Sequence, residues 1–350
     1  MSQITLVLPH LLPLPEFAPD LVRALTTPGL QTPMLATLLA RTVAHQRHAV
    51  VDTARALPHE QWLARALGLA PGGEPAFAAA AMRGFGLDPE DGTWFIVNPA
   101  HVQIARSHSM MADLRQLGLD EEEGRALFET AHPLCEEIGR PLRYGDAQTW
   151  FLRADDWAHI DSATPDTVAG MDLTDFVPRG PRALAYRKLQ NEVQMAWHTH
   201  PVNAAREAKR LPAVNAFWLW GAAAGASATA TATGRSGGQF ASIGAPGWIA
   251  ALSDRRLDSF DELDSVLAQD GLLVVGHLAE AAIAADWGVW LQHVQQLEDK
   301  LFAPLHAALV RGRVKRLHLV ASSREGLAEF TTTAMAQRKF WRRPTLERLI

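Results

Sequence analysis

Short apolar runs alternate with amphipathic segments along the 350-residue chain. Runs rich in aliphatic and β-branched residues predict strands at 4–8, 94–97, 149–152, 217–220, 272–275 and 317–321. Apolar residues at helical spacing predict helices at 33–41, 60–69, 76–85, 121–132, 184–198 and 287–309. Strands that alternate with helices favour an α/β fold whose sheet is at least partly parallel.

Local residue types indicate one helix start and one long loop. Thr32 suits the N-cap of the helix at 33–41, and Pro33 suits its first helical position. The segment 224–247 is rich in Gly, Ala, Ser and Thr, which predicts a mobile loop. Its Gly-Arg-Ser-Gly-Gly run lacks the Gly-Lys-Ser/Thr of a P-loop, so a nucleotide site of that kind is not indicated.

Composition and charge narrow the function classes. Apolar residues make up 48% of the chain, enough for a sizeable core, and the formal net charge of −5 differs from the basic character of a nucleic-acid binder. The single cysteine, Cys135, excludes an internal disulfide framework and is better explained as a buried small residue than as a reactive thiol. No apolar run is long enough to span a membrane, and the first residues predict a strand rather than a signal peptide. We therefore expect a cytoplasmic protein with neither a nucleic-acid nor a membrane partner.

The densest group of polar candidates lies between 197 and 221. His198 and His200 are followed by Asn203 and Arg206, and then by Asn215. In one interpretation they line a cleft and bind a small anion, because the planar guanidinium of Arg pairs with two oxygens at once. In the other, the two Asn side chains and Arg206 tie an inserted region to the core through hydrogen bonds. The sequence leaves both interpretations open.

The same segment resembles a known family. Its residues match a signature of the archaeal-type cofactor-independent phosphoglycerate mutases of the alkaline phosphatase superfamily at His200-Pro-Val-Asn203, Arg206, Val214-Asn215 and Trp218-Leu-Trp-Gly221. Other stretches resemble the family's first helix start and its segment near the second metal cluster, at Thr32-Pro33-Met34-Leu35, Glu280-Ala281 and Asp286-Trp287. The resemblance covers most of the chain. It also extends to an uncharacterised proteobacterial group of RpfE-type regulatory, phosphoglycerate-mutase-like proteins.

The resemblance implies two divalent metals and a phosphorylated serine, but this chain departs from the family at those positions. The family's Asp-Gly after the first strand matches Pro9-His10, and its Gly-Ser-Asp nucleophile motif matches Pro58-His59-Glu60. The Asp and His of a second motif match Ala279 and Ile283, and a late Asp-His pair matches Ser323-Arg324. Such metal chemistry needs carboxylate and imidazole ligands. We therefore predict that the two-metal site is lost, and we expect no metal and no cofactor.

The resemblance also predicts the architecture. We expect an alkaline-phosphatase-like α/β core with a central, mostly parallel sheet between helices, formed by residues 1–75 and 212–350. A smaller inserted or cap region with α+β structure is expected at 76–211. The strands at 4–8, 217–220, 272–275 and 317–321 are predicted to share the core sheet.

For function, the sequence favours a catalytically inactive, phosphoglycerate-mutase-like protein with a binding or regulatory role. Its partner would be a small phosphorylated metabolite or another protein. The alternative is an enzyme of mutase or phosphatase type that acts on a phosphorylated small molecule through a rearranged, metal-independent site. His59 is then the catalytic candidate, with His198, His200 and Arg206 as acid–base and phosphate-binding groups.

Overall fold

The computed structural model describes residues 2–49, 54–104, 108–178, 182–225 and 238–350. The chain forms two compact units. The first unit comprises Met1–Thr53 with Ser236–Ile350, and the second comprises Ala54–Arg235. The predicted boundaries at 75/76 and 211/212 differ from these, because residues 54–75 and 212–235 belong to the second unit.

The described strands and helices alternate along much of the chain. The strands are β1 (Ser2–Leu8), β2 (Ala44–Ala49), β3 (Thr93–Ala100), β4 (Val102–Ile104), β5 (Ser109–Met111), β6 (Leu142–Asp146), β7 (Thr149–Arg153), β8 (Ala216–Ala224), β9 (Gln239–Ile243), β10 (Arg255–Arg256), β11 (Gly271–Val275), β12 (Val314–Ser322) and β13 (Gly326–Thr333). The α-helices are α1 (Ala18–Ala24), α2 (Pro33–Ala40), α3 (Pro58–Ala66), α4 (Ala78–Gly84), α5 (Leu114–Leu117), α6 (Glu121–Glu137), α7 (Pro165–Val168), α8 (Ala183–His198), α9 (Pro201–Ala208), α10 (Gly247–Leu252), α11 (Leu263–Leu267), α12 (Ala279–Ile283), α13 (Trp287–Leu297), α14 (Ala303–Val310) and α15 (Ala334–Gln337).

A seven-stranded sheet forms the centre of the first unit, in the order β10-β9-β11-β1-β12-β13-β2. The first five strands in this order, β10, β9, β11, β1 and β12, are parallel to one another. Strand β13 runs antiparallel to both of its neighbours, β12 and β2. Leu6 of β1 is in register with Leu273 of β11 and Leu319 of β12. All three side chains are buried in a core shared with helices such as α2, α13 and α14. Apolar residues at matching positions of neighbouring strands are typical of a parallel sheet covered by helices.

The second unit contains a four-stranded antiparallel sheet, in the order β6-β7-β3-β8. Its core is aromatic: Trp150 packs edge-on against Trp197 of α8, with ring centroids 5.8 Å apart. Two of the buried polar tips have backbone carbonyl acceptors: Trp197 donates to Leu127 O at 3.0 Å, and Tyr186 donates to Phe217 O at 2.8 Å. These bonds allow Trp197 and Tyr186 to be buried without an unpaired donor.

The predicted fold class is confirmed. The protein has a large, mostly parallel central sheet flanked by helices and a smaller antiparallel sheet. The predicted strands at 4–8, 272–275 and 317–321 lie in the central sheet, as β1, β11 and β12. The placement of 217–220 was wrong, because β8 pairs with β3 in the second unit. An apolar run indicates a buried strand but not the sheet to which the strand belongs.

Two local predictions also need correction. Thr32 occupies the N-cap position of α2, but its side chain makes no capping bond. The carboxylate of Glu298 accepts instead from Met34 N at 2.6 Å and Leu35 N at 3.0 Å. The predicted loop at 224–247 includes β9 and the start of α10, and its residues 226–237 lie outside the described residues.

Candidate functional site

The carboxyl ends of the parallel strands meet at one edge of the central sheet. Pro9 and His10 follow β1, Gly276 and His277 follow β11, and Ser323 follows β12. In open α/β sheets this edge is the usual place for a ligand. All of the predicted metal positions except His59 lie at or close to this edge, because α12 begins shortly after β11.

The backbone at this edge depends on two glycines and one strained residue. A Cβ on Gly276 would lie 2.2 Å from Gly244 O, so the chains approach too closely for any side chain there. A Cβ on Gly244, whose φ is +60°, would lie 2.8 Å from the imidazole of His277. His10 has a φ of 60°, in the left-handed region that favours glycine. The family resemblance places a glycine at this position, so the conformation fits the resemblance although the side chain does not.

The residues at this edge do not fit a two-metal centre. Pro9, Ala279 and Ile283 have no ligand atom in their side chains. The hydroxyl of Ser323 accepts from Glu325 N at 3.2 Å and Gly326 N at 3.1 Å. Among the described residues, no group of three or more His, Cys, Asp or Glu side chains is placed to hold a metal ion. The side chains present therefore do not reproduce the ligand set that the resemblance implies.

A cavity of about 260 Å³ lies at the same edge, in the first unit. The loop after β1 forms an apolar wall with Leu12, Pro13 and Pro15, and Leu327 and Leu349 extend it. Polar groups come from the end of β2 and the turn between β12 and β13, namely Arg47, His48, Ser323 and Glu325. A concave, largely apolar site with a few polar groups is the usual form of a small-molecule pocket.

Charged groups on β2 and β13 define the polarity of this cavity. The guanidinium of Arg47 donates to Arg348 O at 2.8 Å. His48 Nε2 lies 3.0 Å from one oxygen of Glu329, and His318 Nε2 lies 2.9 Å from the other. Arg47 is thus the permanent cation of the cavity lining, since the imidazole of His48 already faces a carboxylate.

The predicted nucleophile position lies in the second unit, within a buried polar cluster. His59 and Glu60 are in the first turn of α3 and are both fully buried. The Glu60 carboxylate accepts from Thr164 Oγ1 at 2.6 Å and from Leu57 N at 2.7 Å. Arg115 donates to Asp166 through two nitrogens, at 2.9 and 2.7 Å, and to Asp113 at 2.9 Å.

Burial shifts the proton affinities in this cluster. It lowers the pKa of His59 to about 4, against the opposing pull of Asp166. Burial also raises the pKa of Glu60 to about 8, and repulsion from Asp166 adds to the effect. Although burial disfavours its charged form, Arg115 has a raised pKa because Asp166 and Asp113 stabilise its cation. Such shifts occur at active sites and also in structural ion-pair networks. Here His59 is 2% exposed, so its imidazole is packed within the second unit rather than presented to solvent.

The candidate residues between 198 and 215 are largely committed to internal bonds. Asn203 bridges Trp197 O and Val214, donating at 2.8 and 2.9 Å and accepting from Val214 N at 2.7 Å. Asn215 makes a reciprocal pair of bonds with the backbone of Val102. These hydrogen bonds connect elements within the second unit. They therefore do not link an inserted region to the core, as one interpretation of the sequence predicted.

Arg206 is fully buried, and its guanidinium is fully engaged. It donates to Pro212 O at 2.8 Å, to Leu117 O and to the carboxylate of Glu123. His200 caps α9, because its Nδ1 accepts from Val202 N at 3.2 Å, whereas His198 is exposed at the end of α8. The geometry supports a structural role for Asn203, Arg206 and Asn215, and an anion-binding role for the two histidines stays a prediction.

Sequence reasoning missed the cavity residues on β2. The strand Ala-His-Gln-Arg-His-Ala has no apolar alternation, and every residue in it is exposed. Its only signal is a polar run of three cationic or titratable side chains, His45, Arg47 and His48. Such a run more often predicts a solvated surface.

Together, the sheet and the cavity define an α/β protein with a lined cavity at the carboxyl edge of its parallel strands. No family model matches the chain, and no curated protein is significantly similar to it in sequence. A similar solved structure is that of the PH0037 protein from Pyrococcus horikoshii, at 12% identity with a TM-score of 0.50, covering 95% of this chain and 87% of that chain. The structure of a cofactor-independent phosphoglycerate mutase from Thermoplasma acidophilum is 16% identical with a TM-score of 0.43, covering 95% and 89%. At such identities the similarity concerns the fold alone.

Proposed function

We propose that this chain is a phosphoglycerate-mutase-like binding protein that has lost the two-metal chemistry of the family it resembles. In this proposal the cavity at the carboxyl edge takes a small anionic metabolite in the cytoplasm, and occupancy of that cavity regulates a partner protein. The observation that supports it most directly is the combination of a lined cavity with side chains that cannot ligate two metals.

Arg47 is the group expected to select the ligand. A guanidinium pairs with a carboxylate or a phosphate through two parallel hydrogen bonds. The apolar wall formed by Leu12, Pro13 and Leu327 fits the carbon skeleton of the ligand. Glu325, at the rim of the same cavity, disfavours ligands with several negative charges and favours one with a hydroxyl donor.

The test is a thermal-shift titration of the intact protein with 3-phosphoglycerate, glycerate and inorganic phosphate. A ligand that binds only the folded state raises the melting temperature by mass action. We expect a shift with at least one carboxylate-bearing probe, and at least a tenfold loss of affinity in Arg47→Ala. Arg23→Ala is the matched control, because Arg23 is an exposed arginine of the same unit that does not line the cavity.

Parallel assays for mutase and phosphatase activity address the alternative. We expect no turnover of 3-phosphoglycerate with or without Mn²⁺ or Zn²⁺. Turnover in the presence or absence of metal that is abolished in His59→Ala would establish the enzyme instead. A parent protein whose melting temperature is unmoved by every anion tested would remove the support for the binding role.

A further inference from the structure

The turn after α15 exposes two aromatic side chains. Phe340 is 80% exposed and Trp341 is 67% exposed. Their rings contact each other edge to face, with centroids 5.3 Å apart. The surrounding residues 334–346 include no acidic residue and four basic ones, Arg338, Lys339, Arg342 and Arg343. Large apolar side chains that cluster on a surface mark an interaction site.

Hydrogen bonds hold this turn on both sides. Before the turn, the backbone carbonyl of Gln337 accepts from the Arg41 guanidinium at 2.9 Å, and the Gln337 side chain donates to Thr332 Oγ1 at 2.6 Å. On the far side, Arg342 donates to Thr42 O at 3.0 Å. Within the turn, Phe340 N donates to Arg338 O at 2.8 Å. A turn fixed in this way presents the aromatic pair with little ordering left to do on binding.

Neighbouring residues extend the apolar and the positive character of this surface. Met335 of α15 is 67% exposed. Arg316 of β12 is in register with Thr333, the residue before α15, and Lys315 beside it is also exposed. In the described part of the chain, Arg338, Lys339 and Arg343 form no ion pair. Their charge is therefore available to a partner.

We propose that this aromatic–basic turn, residues 335–343, binds the surface of a membrane that contains anionic lipids. Trp and Phe rings are stable at the level of the lipid headgroups, and Lys and Arg side chains are attracted by anionic headgroups. Aromatic residues that stack on nucleic-acid bases line a groove, and those of protein hot spots lie in packed pockets. Phe340 and Trp341 instead project from a turn, as insertion between headgroups requires.

Surface binding of this kind is separate from both membrane spanning and the cavity. No helix among the described residues is long and apolar enough to cross a bilayer. The expectation of no membrane partner rests on the lack of a spanning segment, and a surface contact does not need one. Because β13 is antiparallel to β12, its end and α15 lie at the amino-terminal edge of the parallel strands. The cavity lies at the opposite, carboxyl-terminal edge. The proposal therefore goes beyond the proposed ligand binding and does not depend on it.

The experiment is sedimentation of the full chain with vesicles of phosphatidylcholine, either pure or with about one third phosphatidylglycerol. We expect binding to the anionic vesicles, little binding to the neutral ones, and weakening as salt increases. The triple variant R338Q/K339Q/R343Q should lose roughly fivefold per cation, or about a hundredfold in all. Arg342 is left unchanged because it holds the turn. The variant F340A/W341A should bind the anionic vesicles more weakly than the parent but keep its preference for them over neutral vesicles, because the cations remain.

The matched control is R23Q/R65Q/R83Q, which changes net charge equally at three exposed arginines elsewhere. It should bind like the parent. Equal losses in both triple variants would mean that net charge alone matters and would overturn the assignment. So would equal binding to neutral and anionic vesicles. Tight binding to a single-stranded oligonucleotide without vesicle binding would assign the surface to nucleic acid instead.

Discussion

The guanidinium of Arg206 forms an ion pair with the carboxylate of Glu123, although 83 residues separate the two in sequence. Arg206 is in α9 and Glu123 is in the first turn of α6, so the ion pair links two helices of the second unit. The guanidinium also binds two backbone carbonyls. Each of the three guanidinium nitrogens of this fully buried cation thus has an acceptor.

Loss of this cation should destabilise the protein. Arg206→Ala leaves Glu123 and two carbonyl groups without their donor, so the free energy of unfolding should fall by about 3 kcal/mol. Urea denaturation measures the change. Lys209→Ala, which removes an exposed cation next to the same helix, should cost less than about 0.5 kcal/mol. An Arg206→Ala protein as stable as the parent, but unresponsive to anions that shift the parent, would restore the anion-site interpretation.

The buried Glu60 should make stability depend on pH. Its pKa rises on folding, from an ordinary 4.5 to about 8, so the folded protein holds this proton more tightly than the unfolded chain. The stabilisation of the folded state that comes from this tighter proton binding is present at low pH and is lost as pH rises toward 8. His59 acts in the opposite sense between about 4 and 6.5, since its pKa falls on folding. Between pH 6.5 and 8 the His59 effect is complete, whereas the Glu60 effect is still being lost.

We expect the parent to lose roughly 1 to 2 kcal/mol of stability across that window. In Glu60→Gln the loss should disappear, because Gln has no proton to release. The exposed Glu129→Gln provides the control and should follow the parent curve. Parallel curves for the parent and Glu60→Gln would show that Glu60 does not release its proton in this range.

The carboxylate of Glu298 should protect the backbone amides in the first turn of α2 from hydrogen exchange. The Glu298 carboxylate accepts from two backbone N–H groups of that turn, and burial raises its pKa. Removing it in Glu298→Ala leaves those donors unpaired, at a cost of about 2 kcal/mol. Hydrogen exchange should accelerate at Met34 and Leu35. The neighbouring, exposed Asp299→Ala should leave both amides as protected as in the parent, and equal exchange in the two variants would contradict the capping role.

Cys135 should be unreactive in the folded protein. It is fully buried in α6, and burial raises the pKa of its thiol to about 12. Only the thiolate reacts with a disulfide reagent such as DTNB. Labelling should therefore be negligible under native conditions and reach one thiol per chain in denaturant. Rapid labelling of the native protein would show that α6 opens readily.

The elements of the core could be predicted wherever apolar patterning is strong. The predicted strands in β1, β11 and β12 were located within a few residues, because buried parallel strands are nearly continuous apolar runs. The predicted helix at 287–309 corresponds to α13 and α14 joined by a π-helical segment, Glu298–Phe302. β2 was missed because its side chains are all exposed, so only backbone pairing with β13 makes it a strand.

Long-range polar contacts could not be predicted from the sequence. Glu60, Arg115 and Asp166 come from three separate segments, and nothing in their local patterns indicates that they meet. Likewise, the cap of α2 was assigned to Thr32, the best local candidate, whereas the structure uses a carboxylate 264 residues away. Local sequence patterns predict where a helix begins and therefore where unpaired N–H groups occur. Which side chain accepts from those groups depends on the tertiary structure.

The position of β1 has a consequence for biosynthesis. β1 precedes the other described strands, yet its two neighbours, β11 and β12, come after the whole of the second unit in the sequence. The second unit is a single continuous segment, Ala54–Arg235, so all of its partners leave the ribosome before β11 is translated. We therefore expect the antiparallel unit to fold co-translationally. The apolar β1 strand stays without its sheet neighbours until β11 and β12 are made, and we expect a chaperone to bind it during that interval.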